Sequence, residues 1–151
     1  MNSVIRINIA APYARIFDLA ANVERWPEIL PHYRYVRPVP GAEGERRFEM
    51  GASRGSIPVS WEAIQRPMPD ERRIEFEHTG GVTKGMKVAW IFEPVANFAG
   101  EAWNVRIEHE LDLGWPVIGG LVADRVIGPH FIDAIAGRTL RTIRDLAERG
   151  A

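Results

Sequence analysis

The sequence predicts an α+β domain in the order β-α-α-β6-α, with a curved antiparallel sheet wrapped around one long C-terminal helix. Three observations predict it. Apolar residues recur at helical spacing through Gly114–Arg149 (Val117, Leu121, Val122, Ile127, Phe131, Ile132, Ile135, Leu140, Ile143, Leu146), and no other stretch is long and apolar enough to be a spine. The roughly eighty residues before it read as short strands separated by turn chemistry. A lone helix of that length needs a broad apolar surface to cover it, and a bent sheet is the simplest one available.

Val4–Ala10 sets Ile5, Ile7 and Ile9 against Val4, Arg6 and Asn8, a strand with one apolar face. Ala11-Pro12 ends it and opens a helix over Tyr13–Ala21, with Ile16, Phe17 and Ala20 on one side. Asn22 is placed to cap a second short helix through Val23–Leu30, interrupted at Pro27 and closed by Pro31, so that Trp26 and Ile29 plug one end of the sheet. Six strand-like segments follow: Tyr33–Val39, Arg46–Ala52, Ile57–Gln65, Arg72–Thr79, Gly85–Glu93 and Ala102–Leu113. Breaks at Pro40-Gly41, Arg54-Gly55, Pro67–Asp70, Gly80-Gly81 and Asn97–Gly100 carry turn residues, and the spacing suits an antiparallel meander. In the last helix Pro116 fits a first turn and Gly150 a stop. Gly128-Pro129 should bend or break that helix, because proline removes a ladder bond and crowds the preceding turn, and ligand access is expected near it.

At 151 residues, 46% apolar and 26% charged, the chain is large enough for a real core, and 1–151 is expected to form one domain. A net charge of −1 gives no electrostatic footprint for nucleic acid or an anionic membrane. Arg138, Arg141 and Arg144 recur along the last helix, but Asp145 and Glu148 interleave with them as on a solvated face. The absence of cysteine excludes disulfides, thiolate zinc sites and cysteine nucleophiles. There is no secretory pattern at the N-terminus and no run near the roughly 20 apolar residues of a membrane span, so a cytoplasmic location is expected.

Alternation also tells which side chains face the helix. The apolar parity selects Phe48, Met50 and Ala52; Val59, Trp61 and Ala63; Ile74 and Phe76; Met86, Val88, Trp90 and Phe92; then Trp103, Val105, Ile107 and Leu111. Glu62, Glu75, Glu77, Lys87, Arg106, Glu108 and Glu110 share the opposite parity, an outer face in water. Gln65, His78 and His109 are polar residues on the inner parity, and they matter most because a buried polar group is costly unless something satisfies it.

This order of elements resembles the helix-grip fold of the START-like (SRPBCC) superfamily. The resemblance is carried by Ile9-Ala10-Ala11-Pro12 leading into Ile16-Phe17, by Val23-Glu24-Arg25-Trp26-Pro27 followed by Tyr33, by Arg72-Arg73-Ile74 and Lys84-Gly85-Met86 before Trp90, and by Gly128-Pro129-His130-Phe131 running on to Thr139-Leu140. It covers nearly the whole chain and is nearest the polyketide cyclase/dehydrase-like branch, beside the coenzyme-Q-binding START-like proteins. In aromatase/cyclases of that branch the resemblance implies three pocket positions. These are a Tyr just after the Trp-Pro helix, an inward Arg on the third sheet strand and an Asn on the long helix. Tyr33 matches the first. Gln65 falls on the second, with Arg66 beside it on the outward parity, and Asp133 falls on the third.

The residues themselves offer two histidines, His78 and His109, near the same end of the sheet and about 9–10 Å apart from strand spacing alone. That is too far to share a metal ion without rotamer help, and no cofactor or metal is called for. Two neutral histidines in a pocket can polarise a carbonyl and shuttle its proton; the alternative is a pair of satisfied structural residues. Tyr33, His78 and His109 are the candidate catalytic groups. His130 and Asp133, three apart on one side of the helix, either face the cavity mouth or cap a surface end. With Trp61, Gln65, Phe76, Met86, Trp90, Trp103 and Ile107 they complete the expected ligand site, a cavity suited to a flat apolar molecule with a few oxygens. No Gly-rich phosphate loop, Ser-His-Asp order or zinc motif is present. The expected partner is therefore a hydrophobic small molecule: a polyketide-like aromatic, a quinone or a lipid. Cyclase/dehydrase-like chemistry stands against non-catalytic carriage or chaperoning, with a stress-response domain working through a partner as a third reading and homodimer formation left open.

Overall fold

Period-two alternation becomes a seven-stranded antiparallel sheet in the computed structural model, which describes residues 2–81, 83–96, 98–111 and 129–150, with residues 129–131 given by backbone alone. The elements are β1 (Asn2–Ile9), α1 (Tyr13–Ala21), a 3-10 turn at Val23–Arg25, α2 (Trp26–Ile29), β2 (Tyr33–Pro38), β3 (Arg46–Arg54), β4 (Ile57–Met68), β5 (Arg73–Gly81), β6 (Lys87–Pro94), β7 (Trp103–Glu110) and α3 (Pro129–Glu148). Strand order β1-β7-β6-β5-β4-β3-β2 makes β2 to β7 a meander and returns β1 beside β7, with Ile5 opposite Ile107 and Ile9 opposite Trp103. This is the helix-grip arrangement, a curved sheet closed over its C-terminal helix.

The inner parity is buried as the alternation requires: Phe48, Met50 and Ala52 on β3, Ile74, Phe76 and His78 on β5, and Val105, Ile107 and His109 on β7. Helix α3 turns Ile132, Ala136, Leu140, Ile143 and Ala147 onto this face and α1. Each fully buried Leu or Ile contributes about 1.5–3 kcal/mol. Polar bonds pin its far end, since the Ala10 N–H donates to Glu148 (2.9 Å) and Arg15 donates to the Ala147 carbonyl (2.9 Å). Among the described residues no helix is long and apolar enough to cross a membrane.

Several boundaries differ from expectation for local reasons. Asn22 makes no side-chain cap, and the short helical stretch divides at Arg25/Trp26 into a 3-10 turn and α2, with Pro27 inside the first turn of α2 and not an interruption. The strand expected from Arg72 starts at Arg73, because Arg72 is left-handed (φ +54) after the 3-10 turn Pro69–Glu71. Strand β4 runs on to Met68, with Pro67 opposite Ile74. A bulge between Glu62 and Ala63 shifts the β4–β5 register. The expected helix start at Pro116 and the Gly128 half of the expected break lie outside the described residues, and α3 is described from Pro129 onward.

Candidate functional site

Between α3 and the concave face of the sheet lies a cavity of about 90 Å³. Aromatic rings stand in its wall: Trp26, Tyr33, Trp61, Phe76 and Trp90. Met50, Met86 and Ile107 complete the sheet side, and Ile132, Ile135 and Ala136 close it from α3. Set into this wall are Tyr33, His78, Thr83, His109 and Thr139, and among the described residues no charged side chain lines the space.

His78 is fixed on two sides. Its ring lies parallel to that of Trp61 (interplanar angle 1°, centroids 5.6 Å apart), and its Nδ1 meets the Thr83 hydroxyl at 2.6 Å. Thr83 belongs to the β5–β6 turn, yet it is only 4% exposed. The turn between Gly81 (φ +88) and Gly85 (φ +94) folds it inward, and the Met86 N–H closes it by donating to the Thr83 carbonyl (2.9 Å). Burial, with His109 nearby, pushes the His78 pKa from 6.5 down to about 3.

His109, one strand beyond Val88, is 7% exposed. Its Nδ1 is buried without a hydrogen-bond partner among the described residues. Burial lowers its pKa to about 4, opposed by the nearby Asp133 carboxylate, which Ser3 holds with its hydroxyl. Both histidines are therefore neutral at pH 7.

A second polar group joins α3 to the start of β2. Tyr33 is buried, packed edge-on to Trp26 (4.9 Å) and Trp61 (6.0 Å). Burial raises its phenol pKa well above 10, a shift that a hydrogen bond with Thr139 partly offsets. Thr139 donates to the Ile135 carbonyl (2.9 Å), and His32 Nε2 reaches both the Thr139 hydroxyl (2.8 Å) and the Ile135 carbonyl (3.2 Å). A carbonyl only accepts, so the His32 proton is on Nε2 and its sealed Nδ1 is a bare lone pair. Burial, then Arg138, lowers the His32 pKa to about 4.

Of the residues singled out in the sequence, Tyr33, His78, His109, Trp61, Phe76, Met86, Trp90 and Ile107 line this one cavity. Trp103 does not. It starts β7 at the opposite end of the sheet, where its indole N–H donates to Glu101 (2.7 Å), its ring packs on Tyr13 and Arg72 lies over it (5.0 Å). Gln65 is inward and 2% exposed, but it joins β4 to α1 by donating to the Ala21 carbonyl (2.8 Å) and accepting from Arg46 (2.8 Å), away from the cavity. Asp133 lies behind His109, bonded to Ser3 and not lining the space. The side chain of His130 is outside the described residues. Among the described residues no three His, Cys, Asp or Glu converge on a metal position.

His32, Thr83 and Thr139 are not among the candidate site residues that the sequence offers. Only Thr139 had a readable signal, as a polar residue on the buried stripe that holds Ile132, Ala136 and Ile143.

A family model described as polyketide cyclase / dehydrase and lipid transport matches residues 9–126. The bifunctional cyclase/dehydratase of the actinorhodin polyketide synthase from Streptomyces coelicolor is 26% identical over 144 residues, covering 92% of this chain and 42% of that protein. Its counterpart in the granaticin polyketide synthase of Streptomyces violaceoruber is 28% identical over 93 residues, 60% of this chain and 29% of that one. The chain thus spans less than half the length of these curated relatives. Among solved structures the Zhui aromatase/cyclase of a Streptomyces species superposes with a TM-score of 0.76 at 17% identity, over 99% of this chain and 94% of that one, a likeness of fold.

Proposed function

The chain belongs to the polyketide cyclase / dehydrase and lipid transport family, and from that premise we propose that it binds a flat, oxygen-bearing hydrophobic molecule, a polyketide-like aromatic or a quinone, in the cavity between sheet and α3. The observation that carries the reading is the placement of two neutral histidines and a buried tyrosine, with two threonines beside them, in one mostly apolar wall. Apolar burial supplies affinity, and the few polar groups fix where the ligand's oxygens lie. A cavity of about 90 Å³ is small beside the roughly 300 Å³ at which ligand pockets usually begin. A ligand of more than one ring therefore enters by displacing the flexible Met50 and Met86.

The same groups support a cyclase/dehydrase-like activity. A neutral imidazole N–H polarises a ketone, an unprotonated ring nitrogen accepts the proton of an enolising carbon, and exclusion of water keeps both interactions strong. Tyr33 holds its proton far above neutral pH, so it does not serve as a base. Quinone or lipid carriage uses the same cavity without proton transfer.

Native mass spectrometry of protein purified from its own host tests the binding proposal. A co-purifying aromatic or quinone mass, lost on denaturation, is expected. Persistent absence of any ligand, together with failure to bind added naphthoquinone, would contradict it. Incubation with a synthetic poly-β-ketone then separates activity from carriage by the appearance, or not, of a dehydrated ring.

A further inference from the structure

Among the polar groups of the cavity, His78 is the one whose proton position the surrounding bonds decide. Its Nδ1 faces the Thr83 hydroxyl at 2.6 Å. A hydroxyl always carries a hydrogen that needs an acceptor, and the acceptor the described structure offers to buried Thr83 is that nitrogen. Thr83 therefore donates and His78 Nδ1 accepts, which leaves the imidazole hydrogen on Nε2. That atom bonds no described residue, and His78 lines the cavity. The parallel stack on Trp61 fixes the ring plane, so the N–H direction is fixed as well.

We propose that Thr83 is a positioning residue that holds His78 as an Nε2–H donor, and that the cavity therefore recognises a ligand through a carbonyl oxygen, as in an aryl ketone or quinone, and not through a hydroxyl hydrogen or hydrocarbon alone. The carbonyl specificity rests on the cavity being a ligand site; the assignment of the proton does not. Thr83 touches no ligand in this account. It acts through His78, whose ring would otherwise carry its hydrogen on either nitrogen. The turn geometry supports the role, because the inward fold of Thr83 depends on left-handed glycines at 81 and 85 and a closing bond to Met86.

Nitrogen-15 NMR of the intact, ligand-free protein reads the tautomer directly. His78 is expected to show a protonated Nε2 and an unprotonated Nδ1; Thr83→Val should give a mixture or the other tautomer, and Thr83→Ser should restore the original pattern. A wild-type His78 protonated at Nδ1, or a tautomer unmoved in Thr83→Val, overturns the assignment. Thermal midpoints of both variants show whether the fold is retained, and the serine variant keeps the test decisive if valine disrupts the turn.

The ligand arm uses acetophenone carrying carbon-13 at its carbonyl, with ethylbenzene as the carbonyl-free match. Acetophenone should bind about fivefold to tenfold more tightly, as one neutral hydrogen bond implies, with a downfield carbonyl shift that Thr83→Val reduces and Thr83→Ser restores. Equal binding of the two probes overturns the carbonyl specificity while leaving the cavity as a ligand site. Binding of neither overturns the ligand site itself, and the carbonyl specificity falls with it, while the NMR result still decides the role of Thr83.

Discussion

Acidification should unfold this protein through its buried histidines before its carboxylates are fully protonated. In the unfolded chain His78 and His109 titrate near 6.5, whereas in the folded protein they do so at about 3 and about 4. His78 faces His109 and the Thr83 hydroxyl, and His109 faces His78 and the Asp133 carboxylate that Ser3 holds. The folded pKa values are depressed, so between pH 6.5 and 4 the unfolded state binds protons that the native state refuses. Stability is full above pH 6.5 and falls as pH falls through this window. At about 1.4 kcal/mol per unit, His78 alone accounts for a loss of about 4–5 kcal/mol once fully developed, and His109 for about 3. His32, depressed to about 4 beside Arg138 and Arg141, acts in the same direction. Down to pH 4 each of the three histidines accounts for about 3 kcal/mol, together about 9 against the roughly 5–15 kcal/mol of a typical domain, so most of the stability is lost by that pH. Urea melts at half-unit steps from pH 7.5 to 4.5 measure the slope, and His78→Phe, which removes one titrating group without emptying its space, should flatten it. Constant stability from pH 7 to 4.5, or a slope unchanged in His78→Phe, would refute the reasoning.

Gly81→Ala should cost at least about 2 kcal/mol. A Cβ there would stand 2.6 Å from the Ser60 carbonyl oxygen and 2.9 Å from the Trp61 Cα, at φ +88, and the required backbone shift should disturb the Trp61–His78 stack as seen by near-ultraviolet circular dichroism. Gln65→Leu leaves the Ala21 carbonyl and the Arg46 Nε–H without their present partner, so chemical denaturation should report a loss of about 1–3 kcal/mol with naphthoquinone affinity unchanged. Trp103→Phe removes the bond to Glu101 at the far end of the sheet; its thermal midpoint should drop modestly and its ligand affinity should equal that of wild type.

The fold was legible because alternation and turn residues report on the backbone directly. Ile74, Phe76 and His78 are inward for the same reason that Glu75 and Glu77 are outward, and a polar residue on the inner parity could be recognised without coordinates. Parity tells the face but not the position along a strand, and this is where Trp103 and Gln65 were misplaced. Trp103 is paired with Ile9 and Pro94 at the α1 end, and Gln65 lies beneath the end of α1, so both are inward yet far from the cavity. Thr83 was hidden because a turn rich in glycine reads as solvent-exposed, and only the left-handed conformations of Gly81 and Gly85 bring its hydroxyl to His78. His32, after Pro31 and between two elements, belongs to no periodic pattern. Its role follows from α3 presenting the Ile135 carbonyl and Thr139 to it, a contact between residues more than a hundred positions apart.

The central claim is that His78 and His109 belong to a ligand site and are not merely satisfied core residues. Calorimetric titration of 1,4-naphthoquinone into wild type, His78→Phe and His109→Phe, at pH 7.5 and beside thermal midpoints, tests it most directly. Each substitution keeps ring bulk and removes a polar contact to a ligand oxygen. Affinity should fall by about 1–3 kcal/mol in each variant; stability at this pH should barely change in His109→Phe and should drop in His78→Phe by the about 1–3 kcal/mol of a Thr83 hydroxyl left without its acceptor. Unchanged affinity in both variants would contradict the account and return both histidines to a purely structural role.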